Sequence, residues 1–435
     1  MKLARFTATA IGALVTLAGC GPAPIDPNRQ VGPEPYLPPI HQYLLPPMHV
    51  PKVVGWNGAT PTVPAGWKVQ AFATGLANPR SLYVLPNGDV LVVETGGPEG
   101  PVNRPKEIVM NWVEKRAHSR TKPGQRILLF RDTNGDGIPD QQSVFIDHLN
   151  SPFGVVLVGN DLYVANTDAV IRYPYATGQT QITDPGVKLC DLPGGPIDHH
   201  WTKSLTASPD GSKLYAGVGS NSNITENGIA VEIGRAAIWQ IDRATGAHRE
   251  YATGLRNPNG LQFEPTTHAL WAVINERDEL GPDLVPDYLT SVRDGAFYGW
   301  PYSYYGQHVD PRVQPQRPDL VAKAIAPDYA LSSHVAPLGM VFSSGTNLPA
   351  HYRSGAFVGE HGSWDRVVLN GYKVVYIPFV DGRPSGPPED VVTGFLVDGD
   401  KARGRPVGLA MDGKGALLIA DDTGNSVWRV SAATP

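Results

Sequence analysis

The sequence predicts an all-β fold, a six-bladed β-propeller built from four-stranded blades. Glycine (48 residues) and proline (42 residues) are abundant, and charged residues make up only 18% of the chain. This composition is typical of many short strands joined by turns and not of long helices. One pattern also recurs six times: a turn enters a short apolar strand, a hairpin follows, and a second apolar strand ends in polar residues. Six irregular repeats predict a propeller better than a sandwich or a jelly roll.

The six repeats align on one position near the start of each first strand. These anchors lie 50 to 79 residues apart, which is room for one four-stranded blade each. They are Pro79, Pro152, Thr202, Pro258, Pro337 and Pro406. Three copies contain a strong hairpin signal between their two strands. These signals are Asn87-Gly88, Asp210-Gly211 and Asp412-Gly413.

The N-terminal stretch, MKLARFTATAIGALVTLAGC, carries two cations, then a short apolar run, then small residues. This order is typical of a secretory signal. The ending Leu-Ala-Gly-Cys resembles the lipobox of bacterial lipoproteins, in which the cysteine is acylated. We therefore predict a signal peptide over residues 1–19, lipidation of Cys20, a Pro-rich linker over residues 20–58 and the propeller domain over residues 59–435. An ordinary cleaved signal and a short membrane anchor are the alternatives.

The residue after the lipidated cysteine is Gly21, and not the aspartate that is associated with inner-membrane retention. The lipobox resemblance therefore implies an anchor in a bacterial outer membrane, with the domain in the periplasm. The formal net charge of −5 indicates no polyanion-binding surface, and we expect no nucleic-acid partner. The rest of the sequence contains no run of about 18 apolar residues, so it predicts no further membrane span.

In a propeller the equivalent turns of all blades meet at one end of the central channel, and such a cleft is a common ligand site. Residues in the turns before the first strands are therefore expected to face one funnel. They are Arg80, His200, Arg256, Asn257, His334 and Arg405. Polar residues that end the second strands are expected between them. They are Glu94, Asn166, Asn221, Asn275, Glu276, Glu360, Asp421 and Asp422.

Five motifs together carry a resemblance to a known family. They are RNPNGL from residue 256, NERD from residue 275, YGWP from residue 298, GEHGSWDR from residue 359 and the terminal GRPVGLAMDGKGALLIADDTGNSVWRV. They are similar to segments of the pyrroloquinoline quinone (PQQ) sugar dehydrogenases, which include soluble glucose dehydrogenase, aldose dehydrogenase and, most similar, L-sorbosone dehydrogenase. The resemblance covers about residues 60–433. It implies an enzyme that oxidises a sugar or a sugar-derived aldehyde with PQQ and calcium.

The segment DHHWTKSL, residues 198–205, lies at the start of the third repeat. In the family a histidine at this position is the general base, which takes the proton of the substrate hydroxyl while hydride passes to the quinone. His200 matches that position, and imidazole is neutral near physiological pH with little tuning. Asp198 and His199 are candidates for orienting it. The alternative is that both histidines only hydrogen-bond loop carbonyls.

PQQ carries three carboxylates, and guanidinium groups suit carboxylates best. Four residues match family positions that contact the cofactor: Arg256, Arg403, Arg405 and the amide of Asn257. The family's cofactor lysine falls in the GEHGSWDR loop, where this sequence has no lysine. Arg366 and Lys203 are the candidates to replace it. An ordinary salt bridge is the alternative for each arginine.

The resemblance also implies a calcium ion held by two backbone carbonyls, at the position of Arg277 and Asp278. The Asp278 carboxylate and Glu276 are further candidate ligands. A separate calcium site is predicted from DTNGDGIPD, which matches the first half of an EF-hand loop. Its side-chain ligands would be Asp132, Asn134, Asp136 and Asp140. Ser143 stands where an EF-hand has its glutamate, and a polar β-turn is the alternative.

The sequence thus predicts a lipid-anchored periplasmic PQQ sugar dehydrogenase whose electrons pass to an unidentified acceptor, a quinone or a cytochrome. A calcium-dependent propeller lactonase is a rival interpretation, although it needs no cradle for three carboxylates. A non-catalytic propeller that binds a glycan or a protein is another, although it needs no histidine and arginines at one mouth. All three share the fold, so the fold alone does not choose among them.

Overall fold

The computed structural model describes residues 25–43, 48–98, 124–344 and 347–433. Within these ranges the chain is almost entirely β, as predicted. The described part contains one short α-helix, α1 (Pro318–Val321), and three short 3-10 helices. No helix in the described ranges is both long and apolar enough to span a membrane.

Most strands belong to six antiparallel sheets of four or more strands, and most sheets follow the chain in order. The N-terminal strands are β1 (Val31–Gly32), β2 (Lys52–Val53) and β3 (Trp67–Thr74). The first sheet contains β4 (Pro79–Val84), β5 (Val90–Glu94), β6 (Arg126–Arg131) and β7 (Gln141–Ile146). The second contains β8 (Gly154–Val158), β9 (Asp161–Ala165), β10 (Ala169–Pro174) and β11 (Val187–Asp191). The third contains β12 (Lys203–Ala207), β13 (Lys213–Val218), β14 (Ala237–Asp242) and β15 (His248–Thr253).

The remaining sheets have additions at their edges. The fourth contains β16 (Pro258–Phe263), β17 (Leu270–Ile274) and β18 (Pro286–Ser291), then, after the hairpin β19 (Ser303–Tyr304) and β20 (His308–Val309), strand β21 (Tyr329–Ser333), with β1 outermost. The fifth contains β22 (Pro337–Phe342), β23 (Gly355–Glu360) and β24 (Lys373–Val380), with β25 (Arg383–Pro384) and β26 (Glu389–Val392) paired to β24. A small sheet joins β27 (Leu396–Val397), β28 (Lys401–Ala402) and β2. The sixth contains β29 (Pro406–Met411), β30 (Leu417–Asp421), β31 (Ser426–Ala432) and β3.

The predicted anchors and hairpins are confirmed. Each anchor lies at the start of a first strand or up to two residues before it, and each of the three predicted turns joins a first strand to a second. Gly88 and Gly211 have positive φ angles of 90° and 69°, a region that glycine enters without a steric penalty.

The core consists of layers between neighbouring sheets, and the alternation of side chains along each strand explains this. In β5, Val90 and Val92 pack in one cluster with residues of the sixth sheet. Leu91 and Val93 pack in another cluster with residues of the second sheet. A strand that is covered on both faces is apolar throughout, and every residue of β5 is buried.

The first strands of the six sheets surround one central channel, as in a β-propeller. Each of them contacts the first strands of the two neighbouring sheets, and β29 returns to β4. Residues of all six line a cavity of about 340 Å³. The turns before these strands meet at one end of the channel, which we call the mouth. Arg80 there lies 2.6 Å from Asp422 and 5.7 Å from the ring of Trp201.

The described part of the Pro-rich linker predicted over residues 20–58 packs against the domain. We call residues 25–43 and 48–58 the strap. Its backbone N–H groups donate to the mouth loops, at 2.9 Å from His41 to Leu280 and at 2.8 Å from His49 to Trp364. The indole of Trp56 donates to Asp421 at 2.6 Å. Proline has no backbone N–H and a fixed φ. The strap is therefore extended, and few of its backbone N–H groups need a hydrogen-bond partner.

Gly408 in β29 tests the close packing of the first strands. A Cβ at this position would lie 2.7 Å from the carbonyl oxygen of Arg80 and 2.9 Å from Cα of Ser81. We expect Gly408→Ala to lower the free energy of unfolding by about 1–3 kcal/mol through overpacking, as measured by denaturant unfolding. Gly413→Ala is the matched control, because a Cβ there meets nothing closer than 3.8 Å. Equal stability of the two variants would contradict the packing of this ring.

Candidate active site

His200 lies at the mouth, in the loop that leads into β12. Its Nδ1 is 2.9 Å from the carbonyl oxygen of Ser220 and 3.0 Å from the Ser220 hydroxyl, which itself donates to the carbonyl of Ser222. Both Ser220 oxygens therefore accept from the ring, so Nδ1 carries the hydrogen and Nε2 keeps its lone pair. The neutral ring is thus arranged to accept a proton through Nε2.

The surroundings of His200 favour this neutral form. Burial, the Arg256 guanidinium and His199 lower the pKa of His200 well below its usual value. Gly219 allows the next segment to approach: a Cβ there would collide with Cβ of His200 and lie 2.6 Å from Oδ1 of Asn257. The Asn257 oxygen is buried and receives no hydrogen bond from any described residue. The site therefore pairs a base with an amide that has bonding capacity left.

The Arg256 guanidinium holds the loop that follows β17. It donates to the carbonyl of Glu276 at 2.6 Å, to that of Asn275 at 3.4 Å and to the Asp278 carboxylate at 3.2 Å. Its other bonds go to the carbonyl and the side-chain oxygen of Asn223, at 3.3 Å and 3.0 Å. All five N–H groups are thereby engaged by the protein. Arg256, predicted to bind a cofactor, therefore acts on the mouth through its charge and through the loop that it shapes.

Asp278, His334 and Asp365 form a charged cluster beside that loop. Nδ1 of His334 is 3.2 Å from Asp365 and 3.5 Å from Asp278, and Nε2 is 3.1 Å from the carbonyl oxygen of Gly281. Burial opposes the charge, but Asp365 and Asp278 raise the pKa of His334 to about 9, so both ring nitrogens donate. Burial likewise opposes ionisation of Asp278, but Arg256 and His334 hold its pKa well below its usual range.

This cluster is also the best candidate metal site in the described ranges. One ligand atom from each residue lies within 4.8 Å of the others, and no other trio of His, Cys, Asp or Glu side chains in those ranges is grouped in this way. Burial raises the pKa of Asp365 to about 7, and its Oδ1 is buried without a described partner. The carbonyl oxygen of Arg277, next to Asp278, also accepts no described hydrogen bond.

Two arginines on the other side of the mouth keep donors available. Arg405 donates to the carbonyls of His361 and Gly362 at 2.9 Å and 2.6 Å, which leaves its Nη1 unbonded within the described chain. Arg80 donates to Asp422 at 2.6 Å, and its buried Nε has no described partner. Free guanidinium donors of this kind suit a planar ligand that carries carboxylates. Arg403 is half-buried, and its side chain has no described hydrogen bond.

Two candidates for the missing lysine serve the scaffold. The Lys203 ammonium is fully buried, 3.4 Å from Asp198 and 3.0 Å from the carbonyl oxygen of Trp201. Asp198 also pairs with Arg235 at 2.9 Å, so it does not orient His200. Arg366 donates to Asp283 at 2.7 Å. The described hydrogen bonds of both cations go to groups of the protein.

The Arg277 and Glu276 side chains lie below the mouth. The Arg277 guanidinium is fully buried and donates to the carbonyls of Pro301 and Ser303 at 2.8 Å and 2.6 Å. Glu276 accepts from Arg277 at 3.0 Å. The Arg277 side chain therefore cannot bind a metal, whereas Oε1 of Glu276 is buried without a described partner. The carbonyl of Asp278 accepts from Asn223 at 3.2 Å and from Arg312 at 3.0 Å.

The predicted EF-hand-like loop bonds within itself. Asp132 accepts from the N–H groups of Gly135 and Gly137, both at 2.7 Å. Asp140 accepts from the hydroxyl and the N–H of Thr133, and the Lys414 ammonium lies 3.8 Å from Asp132. Asp132, Asn134, Asp136 and Asp140 are thus held as a polar β-turn, and the three carboxylates do not form a metal-binding trio. The calcium site predicted for this loop stays a prediction.

The sequence did not predict Asn223 or Asp365 as site residues. It placed Arg80 at the funnel but could not show that the guanidinium keeps unbonded donors. Asn223 follows a second strand, the position from which polar residues were expected, and it holds both Arg256 and Asp278. Asp365 stands inside the GEHGSWDR motif, in which only Arg366 was predicted as a site residue. Its carboxylate pairs with His334, which precedes β22, the strand paired with β23.

The sequence matches the TrAA12-like family profile over residues 61–286 and 313–433. A pyrroloquinoline quinone-dependent sugar dehydrogenase of Hypocrea jecorina is 22% identical over 422 residues, which cover 85% of this chain and 88% of that protein. An aldose sugar dehydrogenase of Escherichia coli is 28% identical over 136 residues, 30% of this chain and 35% of that protein.

Solved structures show the same fold. The PQQ domain of the Coprinopsis cinerea pyranose dehydrogenase superposes with a TM-score of 0.69 at 21% identity, covering 86% of this chain and 97% of that one. A PQQ-bound aldose sugar dehydrogenase of Streptomyces coelicolor superposes with a TM-score of 0.55 at 15% identity, covering 85% and 99%.

The charge of His334 depends on Asp365, the strongest of the groups that raise its pKa. We expect Asp365→Asn to lower the pKa of His334 from about 9 toward the usual value for histidine, as followed by NMR titration of the imidazole carbons. Asp294→Asn is the control, because it breaks only an exposed pair with Arg249. An unchanged His334 titration in Asp365→Asn would rule out the proposed cluster geometry.

Proposed function

Since the chain belongs to the TrAA12-like family, we propose that it oxidises a sugar or a sugar-derived aldehyde at the mouth, with PQQ and calcium as cofactors. The observation that carries the proposal is the neutral His200, fixed through Nδ1 and lying beside Asn257 and Arg256. The similarity to PQQ-dependent sugar dehydrogenases supports it. The proposal takes the six sheets as six blades, which the ring of first strands supports.

The base in this proposal is Nε2 of His200. The hydrogen on Nδ1 is bound to Ser220, so the ring is held in one tautomer and one orientation. When the substrate hydroxyl approaches, Nε2 accepts its proton and the ring becomes a cation. PQQ, when bound, would supply an ortho-quinone that accepts a hydride, the hydrogen of the substrate carbon with its two bonding electrons.

The donors at the mouth fit a ligand with several carboxylates. Arg405 and Arg80 keep unbonded N–H groups, and Arg403 is half-buried nearby in sequence. The buried Asn257 oxygen and the Nε of Arg80 are polar atoms without described partners, and such atoms are uncommon in folded proteins unless a ligand or water satisfies them. We propose that Arg80, Arg405 and Arg403 hold the carboxylates and that Asn257 contacts the quinone.

The candidate calcium ligands are all oxygens, which is what calcium prefers. They are the Asp278 and Asp365 carboxylates and the carbonyl of Arg277. In the described state the two carboxylates are neutralised by His334, which lies within 3.5 Å of both. The bound ion would take over part of that neutralising role and act as a Lewis acid toward a ligand oxygen.

We further propose that Cys20 is lipidated and holds the domain on a bacterial outer membrane, in the periplasm. The support is the order of cations, apolar run and Leu-Ala-Gly-Cys in the N-terminal stretch. The substrate class is an aldose or a sorbosone-like aldehyde, and the acceptor is a quinone or a cytochrome.

His200→Ala tests the base. We expect kcat/KM to fall by about 10²–10⁴-fold while PQQ affinity is kept, because only proton removal is lost. His199→Ala is the control and should retain most activity. The base must be neutral, and burial lowers the pKa of His200. Wild-type kcat/KM should therefore stay level as the pH falls through about 6.5 and decline only at lower pH. Equal activity of the two variants would exclude His200 as the base.

A titration of the lipid-free protein with PQQ and calcium tests the cofactors. We expect saturable binding followed by the quinone spectrum, and dye reduction with aldoses or sorbosone. Arg405→Met should weaken PQQ binding by about tenfold or more, which is the loss of one charge-assisted bond. Arg249→Met, in an exposed ion pair, is the matched control. Absence of binding at micromolar PQQ with calcium present would refute the dehydrogenase proposal.

A further inference from the structure

The mouth end carries most of the exposed large apolar side chains in the described ranges. Eight of the twelve lie on the strap or on the loops that follow second strands. These eight are Tyr36, Ile40, Met48, Ile229, Val231, Ile233, Val367 and Val368. Ile138, Val187 and Val380 lie at the opposite ends of their sheets, and Val309 lies on the hairpin strand β20. One end of the protein is thus distinctly more apolar than the other.

Part of this surface is continuous. Nδ1 of His49 in the strap bonds the carbonyl of Val367 at 2.9 Å, and the N–H of His49 bonds that of Trp364 at 2.8 Å. Met48 and Val368 are the chain neighbours of these partners and are 45% and 57% exposed. We call Met48, Val367 and Val368 the rim patch. Ile233, 81% exposed, projects from the loop between β13 and β14 at the same end.

The proposed lipid anchor enters the domain beside the rim patch. The described chain begins at Ile25, whose N–H lies 3.3 Å from Asp283. Asp283 pairs with Arg366 at 2.7 Å, and Arg366 is the chain neighbour of Val367. Cys20 is five residues before Ile25, so a fully extended chain would separate their Cα atoms by at most about 18 Å.

The charges of the strap do not oppose contact with a membrane. In its described part Arg29 and Lys52 balance Asp26 and Glu34. Apolar side chains without an opposing field partition into the boundary between head groups and acyl chains. An anchor that holds the patch within reach raises the local concentration of this contact.

We propose that the lipidated protein lies on the bilayer with its mouth toward the leaflet, the rim patch and Ile233 being in contact with the head-group boundary. This inference rests on the proposed lipidation of Cys20 and is independent of the proposed chemistry. The occupant of the surface is a phospholipid leaflet. An electron acceptor dissolved in that leaflet would meet the mouth directly.

The orientation is tested with the full-length lipidated protein in vesicles of phosphatidylethanolamine and phosphatidylglycerol that contain a lipid-borne quencher. A fluorophore is placed at Val368→Cys or at Val187→Cys, and the two native side chains are equally exposed, at 57%. The native Cys190 is 8% exposed, and burial raises the pKa of its thiol to about 11, so it does not compete for the label. We expect quenching several-fold stronger at position 368 than at position 187.

Equal quenching at the two positions, stronger quenching at position 187, or a Cys20 without acyl chains by mass spectrometry would overturn the inference. PQQ-dependent dye reduction is measured on the same labelled samples. Loss of dye reduction with retained orientation would count against the proposed chemistry alone. Retained dye reduction with no preferred orientation would count against the membrane contact alone.

Discussion

The five hydrogen bonds of the Arg256 guanidinium are the constraint on which the mouth depends. They join Asn223, from the loop after β13, to the loop formed by Asn275, Glu276 and Asp278 after β17. A planar group with five fixed donors can hold two such segments at once, and a lysine ammonium cannot. The same charge lowers the pKa of His200 and that of Asp278. One side chain thus sets both the shape and the protonation of the site.

Buried side chains of opposite charge lie side by side at the mouth. Some of their polar atoms have no described partner, and these atoms mark where a ligand fits. Asp422 is engaged by both Arg80 and His361, whereas Arg80 and Arg405 keep donors to spare. Burial raises the pKa of Glu360 to about 8, and its Oε2 has no described partner. A buried polar atom without a partner costs free energy on folding, and such costs are tolerated where function needs them. The excess of cationic donors on one side and of carboxylate oxygens on the other is suited to a polyanion bridged to a cation.

Much of the fold could be predicted from the sequence because short local motifs determine where the strands begin and turn. The anchors such as Pro258 and the turns such as Asp210-Gly211 act within a few residues, and six copies reinforce one another. The convergence of His200, Arg256 and Arg405 followed from the repeat. The individual contacts did not follow, because each is made between side chains of loops that are far apart along the chain. Spacing along the chain could not show that all the N–H groups of the Arg256 guanidinium bond to the protein. Nor could it show that Asp365 pairs with His334. The packing of the strap could not be predicted for a related reason: a Pro-rich composition predicts an extended chain but not the surface against which it lies.

The sixth sheet combines β3 with β29, β30 and β31, and Trp67 pairs there with Ala432. These two residues are 365 positions apart, so this pairing is among the most non-local contacts that a chain of this length can form. A growing chain makes β3 early and cannot offer it a partner until the last strands have been synthesised. Until then the apolar face of the first sheet that meets Leu418 and Val427 has no cover. The nascent protein therefore has an unpaired strand and an uncovered apolar face through nearly all of its synthesis. Because the ring closes last, both must be protected from association with other chains until the final strands are made.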